Sequence, residues 1–358
     1  MTTVRTFRIA VIPGDGIGPE VVDAALEVAD RALSHSGVAI EWTRFPWNSN
    51  YYCEHGRMMP PDGIDQLRPY DAILLGAIGH PKIQDHVTLN GLLLPIRRRF
   101  DQYVCVRPAY LYEGVESPLR NRRPGDIDIL VFRENTEGEY ANVGGRLYER
   151  FDQEVAVQTA VFTRRGCRRI MEAAFGAARK RRRMVTSVTK SNAQGYGMVL
   201  WDEVFREVAA ANPDVQTNSL LVDAAAMDFV RRPEQFDVVV ASNLFGDILT
   251  DLGAAIVGSL GLAPSGNINP ERTAPSMFEP VHGSAPDIAG RGIANPIAAV
   301  LSVAMMLDHL DVPAAARSIE VAVKEVLRAR EPRTPDLGGT ASTADVTRAL
   351  LDHLSGPG

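Results

Sequence analysis

Residues 7–33, FRIAVIPGDGIGPEVVDAALEVADRAL, place a strand, a glycine-rich turn and a helix in immediate succession. The apolar run FRIAVI predicts a buried strand. Pro19 suits the first turn of the following helix, because its φ is already near the helical value and its missing N–H has no partner there. A dinucleotide-binding fingerprint would have a third glycine where Pro19 stands, and its acidic ribose ligand would correspond to Glu41. The pattern alone leaves open whether GDGIGPE binds a pyrophosphate.

The composition is that of a globular protein with an acidic balance. The chain has 358 residues, 45% of them hydrophobic, and a net charge of −6, which argues against nucleic acid as a partner. The basic run at 164–183 follows a helical pattern and is interpreted as a solvated helix face. The three cysteines contain no CxxC pair and indicate free thiols in a reducing compartment. Since no apolar run approaches the roughly 18 residues of a membrane helix, we expect a cytoplasmic protein without a membrane span.

Apolar runs bounded by turn residues alternate with segments of helical periodicity along most of the chain. This alternation predicts an α/β fold with a largely parallel sheet. Residues 139–162 break the rhythm, because they alternate as paired strands do around Gly144 and Gly145, which suit a tight hairpin turn. Such a hairpin is either a decorated edge or an arm that reaches a second subunit.

Acidic residues follow two of the predicted strands. Asp247 and Asp251 are four positions apart after the strand FDVVVASN, at the start of a helix, so they share one helix face. Two carboxylates at that spacing repel each other, unless they meet solvent or hold a hard divalent cation between them. Asp223 ends the predicted strand SLLVD, a position where α/β proteins place functional groups. The sequence leaves both interpretations of the pair open.

Three arginines and two further polar residues are candidates for binding and proton transfer. Arg97 and Arg107 are ten positions apart, and Arg133 ends a predicted strand. Three guanidinium groups at one site would suit a substrate with two carboxylates, because each binds a carboxylate through two parallel hydrogen bonds. Taken singly, each arginine is more often a surface ion-pair partner. Tyr140 and Lys190 can transfer protons once burial or a neighbouring charge shifts their pKa values.

Six motifs occur in order along nearly the whole chain: IPGDGIGPEV, FDQYVCVRP, VFRENTEGEY, SVTKSN, VVVASNLFGDILTDLGAA and MFEPVHGSAPDIAGRGIANPIAAVLS. Together they resemble the β-decarboxylating dehydrogenases, the family that includes isocitrate and 3-isopropylmalate dehydrogenases. The resemblance implies an isocitrate/isopropylmalate dehydrogenase-like α/β fold, with two α/β domains around a cleft, which is not a Rossmann fold. It also answers the first question, since GDGIG is then not a pyrophosphate fingerprint and Glu41 is not a ribose ligand.

The resemblance implies a role for each candidate residue. In this family arginines bind the malate carboxylates, aspartates hold Mg²⁺ or Mn²⁺, and a tyrosine and a lysine move protons. The implied residues are Arg97, Arg107 and Arg133 for the substrate, Asp223, Asp247 and Asp251 for the metal, and Tyr140 and Lys190 for catalysis. The residues matching Lys190 and Asp223 come from the partner subunit in this family, so each complete site would require a homodimer.

By the same resemblance, the cofactor lies mainly on the loop EPVHGSAPDIAG, with Ile17 of the first turn near the nicotinamide. The implied cofactor contacts are Ile17, Glu279, His282, Gly283, Ser284, Ala285, Asp287 and Asn295. Asp287 occupies the position where NAD-dependent members carry an acidic residue and NADP-dependent members commonly carry lysine. Its carboxylate would accept hydrogen bonds from the ribose hydroxyls and repel a 2′-phosphate, which predicts NAD as the cofactor.

The family's larger domain is discontinuous in sequence. The resemblance therefore places a cofactor-side domain at 1–102 and 262–358, and a substrate and dimerisation domain at 103–261. A hairpin arm near 140–165 matches the region where the family's subunits clasp each other.

The substrate pocket is expected in the stretch DHVTLNGLLLPIR. Gly91 and Leu93 occupy the places where isocitrate enzymes have serine and asparagine, so isocitrate is not expected. Asn90 stands where isopropylmalate enzymes have glutamate and where D-malate and tartrate enzymes usually have tryptophan. Asn90 and Leu93 are expected to contact the substrate, and the flanking sequences resemble the D-malate and tartrate branch.

The expected reaction is therefore a metal- and NAD-dependent oxidative decarboxylation of D-malate, to pyruvate and CO₂, or of tartrate. The alternative substrate is 3-isopropylmalate or another 3-substituted malate. A different class of function is a non-catalytic regulatory subunit of the same fold, because such subunits also occur in the family. Substitution of the metal aspartates, Tyr140 or Lys190 would mark such a subunit, and all of these residues are present.

Overall fold

Alternate residues of the first strand, β1 (Arg5–Gly14), enter two different cores. Ile9 and Val11 belong to one apolar cluster, and Ala10 and Ile12 belong to another, because successive side chains of a strand point to opposite faces. The strand is therefore buried on both faces, which explains why FRIAVI is apolar throughout.

The structure is a computed structural model that describes residues 5–34 and 36–354. Its strands are β1 (Arg5–Gly14), β2 (Val38–Arg44), β3 (Ala72–Ala77), β4 (Val104–Tyr110), β5 (Asp128–Glu134), β6 (Gly144–Leu147), β7 (Val155–Gln158), β8 (Met184–Thr189), β9 (Gln216–Leu221), β10 (Val238–Ala241), β11 (Pro264–Ile268) and β12 (Ser276–Pro280). Its α-helices are α1 (Gly18–Leu33), α2 (Ser49–His55), α3 (Gly63–Leu67), α4 (Asp85–Thr88), α5 (Leu94–Arg99), α6 (Arg164–Ala178), α7 (Gly197–Ala211), α8 (Val222–Arg231), α9 (Asn243–Ile256), α10 (Ile297–His309), α11 (Pro313–Ala329) and α12 (Thr343–Leu354). A π-helical turn, Leu89–Leu93, joins α4 to α5. Short 3-10 turns occur at Pro233–Gln235, Leu260–Leu262 and Pro335–Leu337.

Ten of the strands form one mixed sheet in the order β2-β1-β3-β12-β11-β4-β5-β10-β8-β9. The four strands at one end are parallel to each other, and so are the four at the other end. The two central strands, β11 and β4, make the antiparallel pairings. The connection between β11 and β12 spans only residues 269–275, which is too short for a parallel crossover. The predicted α/β sheet is largely parallel as expected, and its antiparallel centre is a feature that the alternation of elements did not predict.

Each half of the sheet has its own core. The half that begins with β2 packs on one face against α1, α10, α11 and α12, and on the other against the segment that contains Trp47, Met58 and Phe100. The half that ends with β9 is covered by α6, α7, α8 and α9, in a cluster of residues drawn from 103–257. Trp201 is among the largest fully buried side chains of this second core.

Strands β6 and β7 form a separate two-stranded sheet, and every residue of both strands is exposed. We call residues 144–158 the arm. The predicted hairpin is present, but the prediction that Gly144 and Gly145 form its turn was wrong, because both lie within β6 and the chain reverses over 148–154. A Cβ atom on Gly144 would lie 2.0 Å from the carbonyl oxygen of Val157 on the facing strand. Glycine is therefore required there by the close approach of two strands.

Two further sequence expectations can be compared with the structure. Pro19 lies in the first turn of α1, as its ring geometry predicts. The basic run at 164–183 includes α6, and its exposed Arg164 forms ion pairs with Glu203 and Glu207, which fits a solvated helix face. Within 5–34 and 36–354, none of the helices combines the length and the apolar character needed to cross a membrane.

Candidate active site

A cavity of about 190 Å³ lies where the two halves of the sheet meet. Its walls come from β3, β4, β5 and β12, from α9, and from the segment that carries the π-helical turn. The predicted site residues that line it are Leu93, Arg97, Arg107, Arg133, Tyr140, Asp247, Glu279, His282 and Gly283. The fold therefore brings together residues that are separated by more than half of the chain.

Two buried guanidinium groups converge on one carboxylate in this cavity. Arg107, on β4, donates from Nη1 to Oδ1 of Asp247 at 3.1 Å, and Arg133, near the end of β5, forms an ion pair with the same oxygen. Burial alone would raise the pKa of Asp247, but the charges of Arg133 and Arg107 outweigh it and lower the pKa to about 2. Asp247 is thus ionised at neutral pH, and the two cations exceed its single negative charge.

Tyr140 places a protonated phenol at the same point. Its hydroxyl donates to Oδ2 of Asp247 at 2.6 Å, and its backbone carbonyl accepts from Nη2 of Arg98 at 2.5 Å. Burial, reinforced by the hydrogen bond to Asp247, raises the pKa of Tyr140 to about 12. The hydroxyl therefore keeps its proton at neutral pH, as a proton donor requires.

The third arginine is held by a different carboxylate. Arg97 is 3% exposed and donates from Nη2 to Oε1 of Glu279 at 2.6 Å, and this oxygen also accepts from Asn267 at 2.8 Å. The Nε atom of Arg97 and the Nε2 atom of His282 are buried without a hydrogen-bond partner. Because unpaired buried polar atoms cost free energy, these two atoms indicate that the cavity is built for a polar ligand.

The predicted metal ligands do not come together within one chain. Asp247 and Asp251 lie on one face of α9, but the helix begins at Asn243, so they occupy its second and third turns rather than its start. Burial and the proximity of Asp247 raise the pKa of Asp251. Asp223 lies in the first turn of α8, just past β9, and accepts from Nζ of Lys190 at 2.7 Å. Across 5–34 and 36–354, no three His, Cys, Asp or Glu side chains are grouped closely enough to hold a metal ion.

The glycine-rich turn after β1 packs against the predicted cofactor loop. The N–H of Ile17 donates to the carbonyl oxygen of Ser284 at 2.9 Å. Gly16 has a φ of 56°, and a Cβ atom there would lie 1.9 Å from the same oxygen. In the loop, Ala285 has a φ of 39° and Asp287 is exposed. The turn GDGIG thus contacts a backbone carbonyl of the loop through its own N–H.

Two other residues considered for the cofactor lie away from the cavity lining. Asn295 is buried and donates from Nδ2 to Asp336 at 3.0 Å. Glu41 is exposed on β2, an edge strand of the large sheet. The structure therefore brings Ile17 and Ser284 together, and leaves Asn295 bonded to another loop.

The structure does not bring Asn90 into the cavity. Its side chain is exposed, and its Nδ2 atom donates to the carbonyl oxygen of His86 at 2.8 Å. From this segment the cavity is lined by Leu89, Leu93, Leu94 and Arg97. Leu89 and Asn90 are the first two residues of the π-helical turn Leu89–Leu93.

Several residues that hold the site were not predicted. Asn243 accepts from Nε of Arg133 at 3.0 Å, and Thr250 accepts from Nη1 of Arg107 at 2.9 Å. With Asp247 they follow the spacing i, i+4, i+7 of one helix face. This periodicity was available in NLFGDILTDLG and would have identified both.

The geometry defines an α/β protein whose cleft presents three arginines, a neutral tyrosine and an ionised aspartate to a polar ligand. Comparison with known proteins leads to the same class of protein. The family model described as "Isocitrate/isopropylmalate dehydrogenase" matches residues 8–350. A probable tartrate dehydrogenase/decarboxylase of Bacillus subtilis is 51% identical over 354 residues, which is 98% of this chain and 99% of the relative. The D-malate dehydrogenase (decarboxylating) of Escherichia coli is 50% identical, over 97% of this chain and 98% of the relative.

The fold has a solved counterpart as well. The crystal structure of isocitrate dehydrogenase from Methylococcus capsulatus has a TM-score of 0.88 and 38% identity, covering 97% of this chain and 99% of the other. The chain belongs to the isocitrate/isopropylmalate dehydrogenase family. The predicted family, its fold and the similarity to the D-malate and tartrate branch are all confirmed.

Proposed function

We propose that the protein catalyses the oxidative decarboxylation of a 2-hydroxy dicarboxylic acid, D-malate or tartrate, with NAD as the oxidant and Mg²⁺ or Mn²⁺ as the metal. The observation that carries this proposal is the convergence of Arg97, Arg107 and Arg133 on one cavity beside Tyr140 and Asp247. The names of the relatives from Bacillus subtilis and Escherichia coli support the substrate class.

The residues present fit a divalent cation. Asp247, with its pKa lowered to about 2, supplies ionised oxygen at neutral pH, and Asp251 adds a second carboxylate on the same helix face. We assign Asp223 of a second copy as the third ligand. When bound, the cation would stabilise negative charge that develops on the substrate oxygens.

The residues also fit a nicotinamide cofactor, which would accept the hydride from the substrate. The buried Nε2 of His282 has no partner at the wall of the cavity. Next to it, the loop continues to the exposed Asp287, which is free to accept hydrogen bonds from ribose hydroxyls. We assign the remaining contacts to Ile17, Glu279, Gly283, Ser284 and Ala285.

The chain's own residues would then divide the work of binding and proton transfer. The guanidinium groups hold the two carboxylates of the substrate and fix its orientation. Tyr140 keeps its proton at neutral pH and delivers it to the carbon that loses CO₂. Lys190 of a second copy takes the proton of the substrate hydroxyl, since Lys190 of the same chain does not line the cavity.

The arm supports a homodimer with shared sites. Leu147, Val155 and Val157 lie on one face of it, because Leu147 pairs with Val155 and the register alternates. These side chains are 45–63% exposed, and a two-stranded sheet is only marginally stable by itself. A second copy that covers this face would stabilise the arm.

The proposed domains are 1–102 with 262–358, and 103–261. The separation of the cores supports this division, because one cluster draws its residues from 103–257 and the others draw theirs from both sides of that range. The free cysteines Cys53, Cys105 and Cys167 support a cytoplasmic location.

A steady-state panel with the purified dimer tests the proposal. With NAD and Mn²⁺ we expect the highest kcat/KM for D-malate or a tartrate stereoisomer, weak turnover of 3-isopropylmalate and none of isocitrate. Activity should fall when a chelator is added and return with Mn²⁺. NADP should give a lower kcat/KM than NAD. A kcat/KM for 3-isopropylmalate tenfold above the others would reject D-malate and tartrate as the substrate. The absence of turnover with every acid would favour the non-catalytic alternative.

A further inference from the structure

Residues 85–99 form one continuous helical segment with a change of pitch in the middle. It consists of α4, the π-helical turn Leu89–Leu93 and α5. Within the turn, the N–H of Leu94 donates to the carbonyl oxygen of Leu89, five residues earlier. A π-helical turn accommodates one more residue than an α-helical turn. Residues before the turn are therefore rotated relative to those after it.

This rotation decides which residue faces the cavity. In a regular α-helix, Asn90 would lie three and four positions before Leu93 and Leu94, near the centre of the face that they share with Arg97, and Leu89 would lie only at the margin of that face. In the structure the cavity is lined by Leu89 together with Leu93, Leu94 and Arg97. The side chain of Asn90 instead bonds to the carbonyl oxygen of His86. The π-helical turn thus places the alkyl side chain of Leu89, rather than the amide of Asn90, at the wall of the cavity.

From this exchange we infer that Leu89, and not Asn90, is the specificity-determining residue of this wall, an inference that rests on the proposed function. The carboxylates of the substrate are held by the arginines, so Leu89, Leu93 and Ile78 meet the substituent on the carbon next to the hydroxyl-bearing one. A hydroxyl there would lose its water without gaining a partner from these side chains. The wall therefore disfavours a hydroxyl at that carbon, and D-malate is favoured over tartrate.

Matched substitutions at the two adjacent positions test the inference. The ratio of kcat/KM for D-malate to that for each tartrate stereoisomer is measured with NAD and Mn²⁺. We expect a ratio of at least ten for the wild type, and a fall of at least tenfold for Leu89→Asn. We expect Asn90→Leu to change both kcat/KM values in parallel. A tenfold change of the ratio in Asn90→Leu, with no change in Leu89→Asn, would overturn the inference.

A measurement that does not depend on turnover accompanies the kinetics. In a Cys53→Ser background, Leu89→Cys and Asn90→Cys are treated with iodoacetamide in the presence and absence of D-malate. We expect D-malate to slow modification at position 89 at least fivefold and to leave position 90 unaffected; the reverse pattern contradicts the inference. Failure of the wild type to turn over any acid would instead reject the proposed function, so the two failures are distinguishable.

Discussion

At the scale of single residues, the site is organised around the carboxylate of Asp247. Asp247 accepts from Arg107, Arg133 and Tyr140 at once. Arg107 and Arg133 are buried, and buried charges are stable only when they are paired and hydrogen-bonded. The same carboxylate therefore holds the guanidinium groups of Arg107 and Arg133 in place and fixes the direction of the Tyr140 hydroxyl.

We predict that Tyr140→Phe lowers kcat for D-malate by about 10²- to 10⁴-fold, because a positioned general acid contributes on that order. KM should change less, since the arginines remain. The control is Tyr52→Phe, which removes a hydroxyl on α2 outside the cavity. An effect of Tyr140→Phe below fivefold, in a variant with a wild-type circular dichroism spectrum, would show that another group delivers the proton.

The residue types of the site were predictable, but their partners were only partly so. Arginines, aspartates and a tyrosine in six ordered motifs were sufficient for the family, and Arg107 and Arg133 lie together as expected. The pairing of Arg97 with Glu279 joins residues 182 positions apart, and no local pattern predicts it. Asn90 was expected at the cavity because of its position in the family resemblance, and no local pattern indicated the π-helical turn at Leu89–Leu93.

At the scale of structural elements, the turn after β1 positions a distant loop. Asp15 accepts from the N–H and the hydroxyl of Ser49, and from the N–H of Gly79. The next residue, Gly16, allows the turn to approach the backbone of Ser284. The glycines are therefore required by contacts between protein segments.

We predict that Gly16→Ala raises the Kd for NAD at least tenfold, because its Cβ would lie 1.9 Å from the Ser284 carbonyl oxygen and displace the loop. Gly37→Ala is the matched control. Gly37 also has a positive φ, of 70°, but nothing lies within 4 Å of a Cβ there. Each variant loses about 1–2 kcal/mol of stability to backbone strain. Calorimetric titration with NAD should give a higher Kd for Gly16→Ala than for Gly37→Ala. Equal Kd values would contradict the role of the contact between Gly16 and Ser284.

The arm gives a second prediction at this scale. Leu147→Glu places a charge on its apolar face, and we expect sedimentation velocity to show dimers for the wild type and monomers for the variant. The kcat/KM for D-malate should fall at least tenfold, because the proposed site requires Lys190 and Asp223 of a second copy. Val321→Glu, on α11 and 56% exposed, is the control and should remain a dimer. If the Leu147→Glu variant stays dimeric, the arm is not part of the dimer interface.

At the scale of the whole molecule, acid stability depends on a histidine far from the cavity. His309 ends α10 beside the ring of Phe278, and burial, together with the charge of Arg272, lowers the pKa of His309 to about 4. The unfolded chain binds this proton near the ordinary pKa of histidine, about 6.5. The free energy of unfolding therefore decreases as the pH falls from about 6.5 towards 4.

We predict that His309→Gln reduces this loss. Between pH 7 and pH 5, urea unfolding of the wild type should show about 1–2 kcal/mol more destabilisation than the variant, the figure being discounted for partial exposure. His55→Gln, at the exposed end of α2, is the control. Equal pH dependence in the wild type and His309→Gln would show that other groups govern acid stability.

Local patterns indicated most of the strands of the large sheet, but neither β4, β11 and β12 nor the order of the strands. Apolar runs and turn residues act over a few residues, so they mark single strands and not their neighbours. The insertion of β11 and β12 between β3 and β4 joins parts of the chain that are far apart in sequence. Only the resemblance to a family suggested that the first and last parts of the chain share a domain.

That strand order has a consequence for the nascent chain on the ribosome. Ala72 of β3 pairs with Ser276 of β12, so the strand that completes the edge of β3 is synthesised about 200 residues later. Until then β3, whose six residues are all buried in the finished protein, offers open N–H and C=O groups on an apolar strand, which is a template for aggregation. During synthesis, the edge of β3 therefore stays unpaired until β12 has been made, and this edge is a defined site for chaperones to protect.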